Sequence, residues 1–180
     1  MALTFVRTAE LIEARWSEFD LDANEWRIPP KRMKMRTPHI VSLSTQVVDI
    51  LKLLHEHRGL GDLLFCGERD HEKPMSNGAI LMALRRMGYA NRMTGHGFRK
   101  VASTLLHEHG FDHAHIELQL AHTERNEISA AYNFATYLAP RRKMMQWWAD
   151  HLEALRRGAK VVPFNLQGGV NVDAMKPRCP

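Results

Sequence analysis

The sequence predicts an α+β domain that is mainly helical and carries one small three-stranded antiparallel sheet. Two patterns predict it. Between residues 16 and 43, apolar and polar positions alternate, the period of half-buried strands. From residue 44 to 157, apolar residues recur three and four apart, the period of amphipathic helices.

Residues 3–14, LTFVRTAELIEA, read as the end of an apolar segment and a short helix with Arg7 near its start. Taken alone, Arg7 reads as a surface residue beside Glu10. In the sheet, Ser17, Phe19 and Leu21 mark a first strand, and Asp22-Ala23-Asn24 is a turn signal. Trp26 and Ile28 mark a second strand. Pro29-Pro30 ends it, because proline cannot donate to a ladder. Val41 and Leu43 mark a third. Between the last two lies Lys31-Arg32-Met33-Lys34-Met35-Arg36, with four cations in six residues and no acid. Such a run suits either a solvated hairpin tip or a cationic finger laid into a nucleic-acid groove.

Helices follow in order. Residues 44–58 carry the stripe Val47, Leu51 and Leu54, and Gly59 and Gly61 close it. Residues 63–75 read as a short buried stretch and a polar loop. Residues 76–88 place Ile80, Leu84 and Met87 on one side and Arg85-Arg86 on the other, with the methionines expected in the core. Helix 96–109 buries Phe98, Ala102, Leu105 and Leu106. Helix 112–121 uses Ile116 and Leu120, and helix 127–135 carries Tyr132. Helix 140–157 starts at Pro140, with the stripe Met144, Trp148, Leu152 and Leu155. Arg141, Arg142 and Lys143 are expected on its solvated face. His107, His109, His113 and His115 read as solvated helix-end residues, since His-Glu-His is not a zinc-protease spacing. Residues 158–180 show little periodicity and read as a tail.

The formal charge of +5, before any of the 11 histidines protonates, favours a polyanionic partner. No apolar run approaches the roughly 18–20 residues of a membrane span, and the first residues lack a signal-peptide pattern. Cys66 and Cys179 make no disulfide framework, so the expected compartment is a reducing cytoplasm.

Chemistry concentrates between Thr94 and Tyr132. His96 and Arg99 are three apart and share a helix face. His122 follows in Leu-Ala-His and Tyr132 in Ala-Ala-Tyr-Asn. A guanidinium fork suits phosphate or carboxylate, imidazoles suit proton transfer, and a phenol can be a nucleophile. Together they point to an anionic substrate of the phosphodiester kind.

This ordered set of His-x-x-Arg, Leu-Ala-His and Ala-Tyr-Asn resembles the tyrosine site-specific recombinases, closest to their prophage integrase branch, over about residues 3–157. The resemblance implies the recombinase catalytic-domain fold over residues 1–157, without the front helix and DNA-binding domains that precede it in relatives. Residues 158–180 become a candidate docking arm. The catalytic set implied is Arg7, Lys34, His96, Arg99, His122 and Tyr132, with Lys31 the competitor of Lys34 and Tyr137 an anchor. Lys31, Arg32 and Arg36 would contact DNA. Arg7 and Arg99 would neutralise the phosphate, Tyr132 would attack it, and Lys34 would protonate the leaving 5′-oxygen. His96 and His122 would share protons or bind phosphate oxygens. The 3′-phosphotyrosyl ester retains the bond energy, so no cofactor, ATP or metal is required. Double-stranded DNA is the implied partner, with a tetramer on DNA, a monomer or weak oligomer alone, and no membrane. A non-catalytic DNA-binding fragment, a DNA-relaxing topoisomerase and a nuclease using His96 and His122 without a covalent step are the competing functions.

Overall fold

The computed structural model describes residues 1–34, 36–59, 61–122 and 137–158. Within them the chain runs α1 (Thr8–Ile12), β1 (Phe19–Asp20), β2 (Glu25–Ile28), β3 (His39–Ser42), α2 (Thr45–Glu56), α3 (Ala79–Arg86), α4 (Gly95–Glu108), α5 (His113–Gln119) and α6 (Leu138–Arg156). Two 3₁₀ turns, Trp16–Glu18 and Pro30–Arg32, flank the first two strands. The expected helix 127–135 and the tail lie outside the described residues.

The sheet is antiparallel in the order β1-β2-β3. Trp26 pairs with Phe19 on one side and Val41 on the other, and Ile28 pairs with His39. Period-2 alternation therefore sends Trp26 and Ile28 into the core and leaves Arg27 in solvent. The first strand is shorter than the alternation suggests. Asp62 captures both the backbone N–H and the hydroxyl of Ser17, at 2.9 and 2.8 Å, and residues 16–18 wind into a 3₁₀ turn instead.

Two apolar cores form. One holds Val6, Trp26, Ile28, Val41, Val48 and Leu51, between the sheet and α2. The other holds Phe5, Ala102, Leu106, Ile116, Leu120, Met144 and Trp148, between α4, α5 and α6. Phe5 and Val6 are consecutive yet enter different cores. Phe5 has φ of 35°, a left-handed conformation costly for a bulky side chain, and it turns the chain from one core to the other. Its ring meets Trp148 edge-on at 6.1 Å, a geometry worth about 0.5–1.5 kcal/mol beyond burial. Arg7 follows at once, so the first arginine of the implied catalytic set stands at the seam between the cores.

Several side chains depart from their expected settings. Met82 and Met87 are exposed, because α3 spans only eight residues and buries Leu84 alone. Leu155, at the end of the α6 stripe, is exposed as well. His109 is buried, packed on the rings of Trp147 and His151 at 4.8 and 5.4 Å. Arg141 is fully buried, and Arg142 pairs with Glu25 at 2.6 Å and reaches the Ala23 carbonyl. Both tie α6 to the sheet, Arg141 from inside the core and Arg142 from the exposed face expected of it. Lys143 is exposed, as expected. Tyr137 stands just before α6, half-buried, its ring 5.1 Å from that of His115.

Candidate active site

Three segments meet at the seam: residues 5–10, the first turns of α4, and the turn after α5. Helix α4 is opened by Thr94, whose hydroxyl accepts from the Gly97 N–H at 3.0 Å. His96 lies in the first turn, exposed, where unpaired backbone N–H groups favour an anion. Arg99, one turn on, points inward and is buried. Its Nη1 donates to the Phe5 carbonyl at 2.6 Å and its Nη2 to the Leu120 carbonyl at 2.7 Å. A guanidinium has five N–H groups, so this grip leaves three for a ligand.

Arg7 is held in a parallel way. Glu10, itself buried, accepts from the Arg7 backbone N–H at 2.8 Å and from Nη1 at 2.7 Å. Nη2 donates to the Ala121 carbonyl at 2.8 Å. Both readings of Arg7 thus apply: it pairs with Glu10, and it faces the turn that carries His122. His122 is exposed, and its Nδ1–H donates to Glu117 at 2.9 Å. A carboxylate only accepts, so Nδ1 carries the proton and Nε2 is left to meet a ligand.

Leu120, Ala121 and His122 are therefore a gathering point. One carbonyl takes Arg99, the next takes Arg7, and the third residue presents an imidazole. Ala121 has φ of 49°, an unfavourable backbone for alanine, and such strain persists only where surrounding contacts enforce it. The two guanidinium groups are close enough to repel. The Arg99 pKa falls below its ordinary value, first through burial and then through the charge of Arg7, with Glu10 and Glu117 acting the other way. An anion seated between them would relieve that repulsion.

Lys34 is exposed in the turn after Pro30–Arg32, and Lys31 and Arg36 are exposed beside it. Arg32 is different. It turns inward onto Glu18, approaches Glu13 at 3.8 Å, and donates from Nη2 to the Glu10 carbonyl at 2.5 Å. Glu18 also takes the Trp26 indole N–H at 2.9 Å. The cationic segment is thereby fastened to the helix that positions Arg7. Tyr132 lies outside the described residues.

Glu10, already read beside Arg7 in the sequence, orients it. Sequence reasoning missed one support. His39 lies behind the arginines, buried, with no hydrogen bond to either ring nitrogen among the described residues. Burial first, then the charges of Arg141, Arg7 and Arg99, lower its pKa from 6.5 to about 3. No sequence pattern marks it.

Residues 1–138 match the model of the Phage integrase family. The chain belongs to the phage integrase family. It is 47% identical over 171 residues to the integrase of Enterobacteria phage P4, covering 86% of this chain and 39% of that protein. It is 42% identical over 160 residues to the prophage integrase IntA of Escherichia coli K12, covering 89% of this chain and again 39% of the relative. The chain thus spans about two fifths of the length of these integrases. Two solved structures share its fold. The integrase from mycobacterium phage Brujita superposes with a TM-score of 0.59 at 19% identity, over 81% of this chain and 47% of that one. XerA recombinase does so with a TM-score of 0.57 at 20% identity, over 87% and 54%. These integrase-family likenesses agree with the recombinase fold expected from the motifs.

Proposed function

We propose that this chain is the DNA-cleaving and rejoining part of a site-specific recombinase of the prophage integrase type, working through a 3′-phosphotyrosyl intermediate. The observation that supports it most is the convergence of Arg7, Arg99 and His122 on the turn at residues 120–122, from three separated parts of the sequence. Phosphodiester cleavage needs charge neutralised on the non-bridging oxygens, a positioned nucleophile, and a proton for the leaving oxygen.

In this reading, the remaining N–H groups of Arg7 and Arg99 hold the non-bridging oxygens, with Nε2 of His122 and the ring of His96 beside them. Tyr132 attacks phosphorus, its proton passing to a nearby imidazole or water. The P–O5′ bond breaks as the new P–O bond forms, and Lys34 gives a proton to the departing 5′-oxygen. A second strand's 5′-hydroxyl reverses the step and releases the phenol. The ester keeps the bond energy, so nothing here calls for ATP, metal or cofactor. Lys31 and Arg36 supply exposed cations for double-stranded DNA, while Arg32 acts as the internal brace of that segment.

Residues 1–157 would form the catalytic domain, with residues 158–180 a docking arm between protomers of a tetramer on DNA. The compartment would be the cytoplasm. Among the described residues no helix is long and apolar enough to cross a membrane. A nicked suicide duplex tests the reading. Cleavage next to the nick lets the short 5′ fragment escape, so the protein should stay covalently attached to a 3′-phosphate. DNA binding with no adduct, at any protein concentration, would favour a non-catalytic module. Relaxed plasmid without recombinants would favour a topoisomerase.

A further inference from the structure

Behind the 120–122 turn lies a polar cluster that the proposed chemistry does not use. Arg141 of α6 is completely buried, and so is Gln119, the last residue of α5. Arg141 donates to the Gln119 side-chain oxygen from Nη2 at 2.8 Å and from Nε at 3.1 Å, and Nη2 also bonds the Ile40 carbonyl of β3. His39, next to Ile40, stands against Arg141, and the Gln119 backbone approaches its ring without closing a hydrogen bond. One guanidinium thus joins β3, α5 and α6.

A buried cation of this kind is a costly way to hold a core. Apolar side chains of similar volume often do as well or better. Its reach is specific, however. The residue it grips is followed directly by Leu120, whose carbonyl takes Arg99, by the strained Ala121, whose carbonyl takes Arg7, and by His122.

We propose that Arg141 and Gln119, backed by His39, are positioning residues that hold the Leu120–His122 turn in place and so set Arg7, Arg99 and His122 for phosphate. The proposal rests on the recombinase reading for its consequence in catalysis, and on geometry alone for its effect on the turn. The brace acts through Gln119: Arg141 fixes the side chain at the helix end, and the next residues are left one conformation in which both arginines find their carbonyls.

The test uses the full chain and the double variant Gln119→Leu/Arg141→Met, which removes donor and acceptor together and leaves no unpaired charge. Arg141→Lys is the companion, keeping charge and bulk while losing the two-pronged grip. Nuclear magnetic resonance follows solvent exchange of the Arg99 guanidinium protons. Suicide-duplex trapping at saturating DNA follows chemistry, and its concentration dependence follows affinity. The expected result is cooperative unfolding with Arg99 protons exchanging at least tenfold faster. Adduct formation slows at least tenfold, with DNA affinity within about twofold of the parent chain.

If the double variant does not fold, the same readings on Arg141→Lys decide the matter. Unchanged Arg99 protection in a folded variant overturns the brace whatever the activity. Lost protection with an undiminished rate at saturating DNA overturns its catalytic role. Should the parent chain form no adduct while the variants lose Arg99 protection, the brace stands and the recombinase reading fails.

Discussion

Arg7 and Ala121 are 114 residues apart in sequence and joined by one hydrogen bond, from Arg7 Nη2 to the Ala121 carbonyl at 2.8 Å. Its counterpart runs from Arg99 to Phe5 at 2.6 Å. Both accepting residues have positive φ, 49° at Ala121 and 35° at Phe5. The two guanidinium groups therefore hold the strained turns that surround them, and they are structural donors before any phosphate arrives.

That dual role changes what removal of Arg99 should do. A hydrogen bond from a charged donor contributes about 1.5–3 kcal/mol, and a buried carbonyl left alone is costly. Arg99→Lys can serve one of the two carbonyls and is expected to lose about 2 kcal/mol of stability. Loss of a positioned charge donor also typically lowers the rate about 10²–10³-fold. Urea unfolding and suicide-duplex cleavage should show both effects in one protein. Unaltered stability would mean that the Phe5 and Leu120 carbonyls do not depend on this fork.

The cationic run should divide by function. Replacing Lys31 and Arg36 with alanine should flatten the dependence of DNA affinity on salt, by about 0.9 in log–log slope for each phosphate that is no longer neutralised. Stability should hardly change, since both are exposed. Arg32→Ala should do the reverse. It leaves Glu18 buried without its partner, a loss of about 3 kcal/mol by analogy with other broken buried pairs. A salt slope unmoved by the Lys31 and Arg36 changes would remove the run from the DNA interface.

His39 should make the fold sensitive to mild acid. Its pKa is lowered from 6.5 to about 3, so the unfolded chain binds a proton that the folded one refuses. Stability from this group is complete above pH ~6.5 and falls as pH drops from there toward ~3, by about 1.4 kcal/mol per pH unit. Urea midpoints measured at pH 7.5 and 5.5 should differ less for His39→Gln than for the parent chain. Equal differences would show that His39 is not the group being refused its proton.

The sheet, the order of the helices among the described residues and the His-x-x-Arg pair were legible because each depends on local period. Trp26 and Ile28 alternate, and His96 and Arg99 lie one helical turn apart. What the sequence hid was the choice among similar neighbours. Lys31, Arg32, Lys34 and Arg36 look equivalent until Glu18 and the Glu10 carbonyl select Arg32. Arg141, Arg142 and Lys143 look like one charged face until Gln119 and Ile40 draw Arg141 inward. Ser17 fits a strand until Asp62 takes its hydrogen bonds. His109 looks like a solvated helix end until Trp147 and His151 cover it. In each case the deciding partner is distant in sequence or on another element, beyond the reach of periodicity.

We propose that Tyr132 is the nucleophile through which this chain cleaves DNA. The free phenol ionises only near pH ~10, so at neutral pH a nucleophilic tyrosine needs a proton acceptor or nearby cations. The most direct measurement is to trap the chain on a nicked suicide duplex, digest the adduct, and identify the residue that carries the 3′-phosphate. The expected label is on Tyr132, lost in Tyr132→Phe with DNA binding retained. A label on Tyr137 or Tyr89, or an adduct that survives Tyr132→Phe, would contradict it.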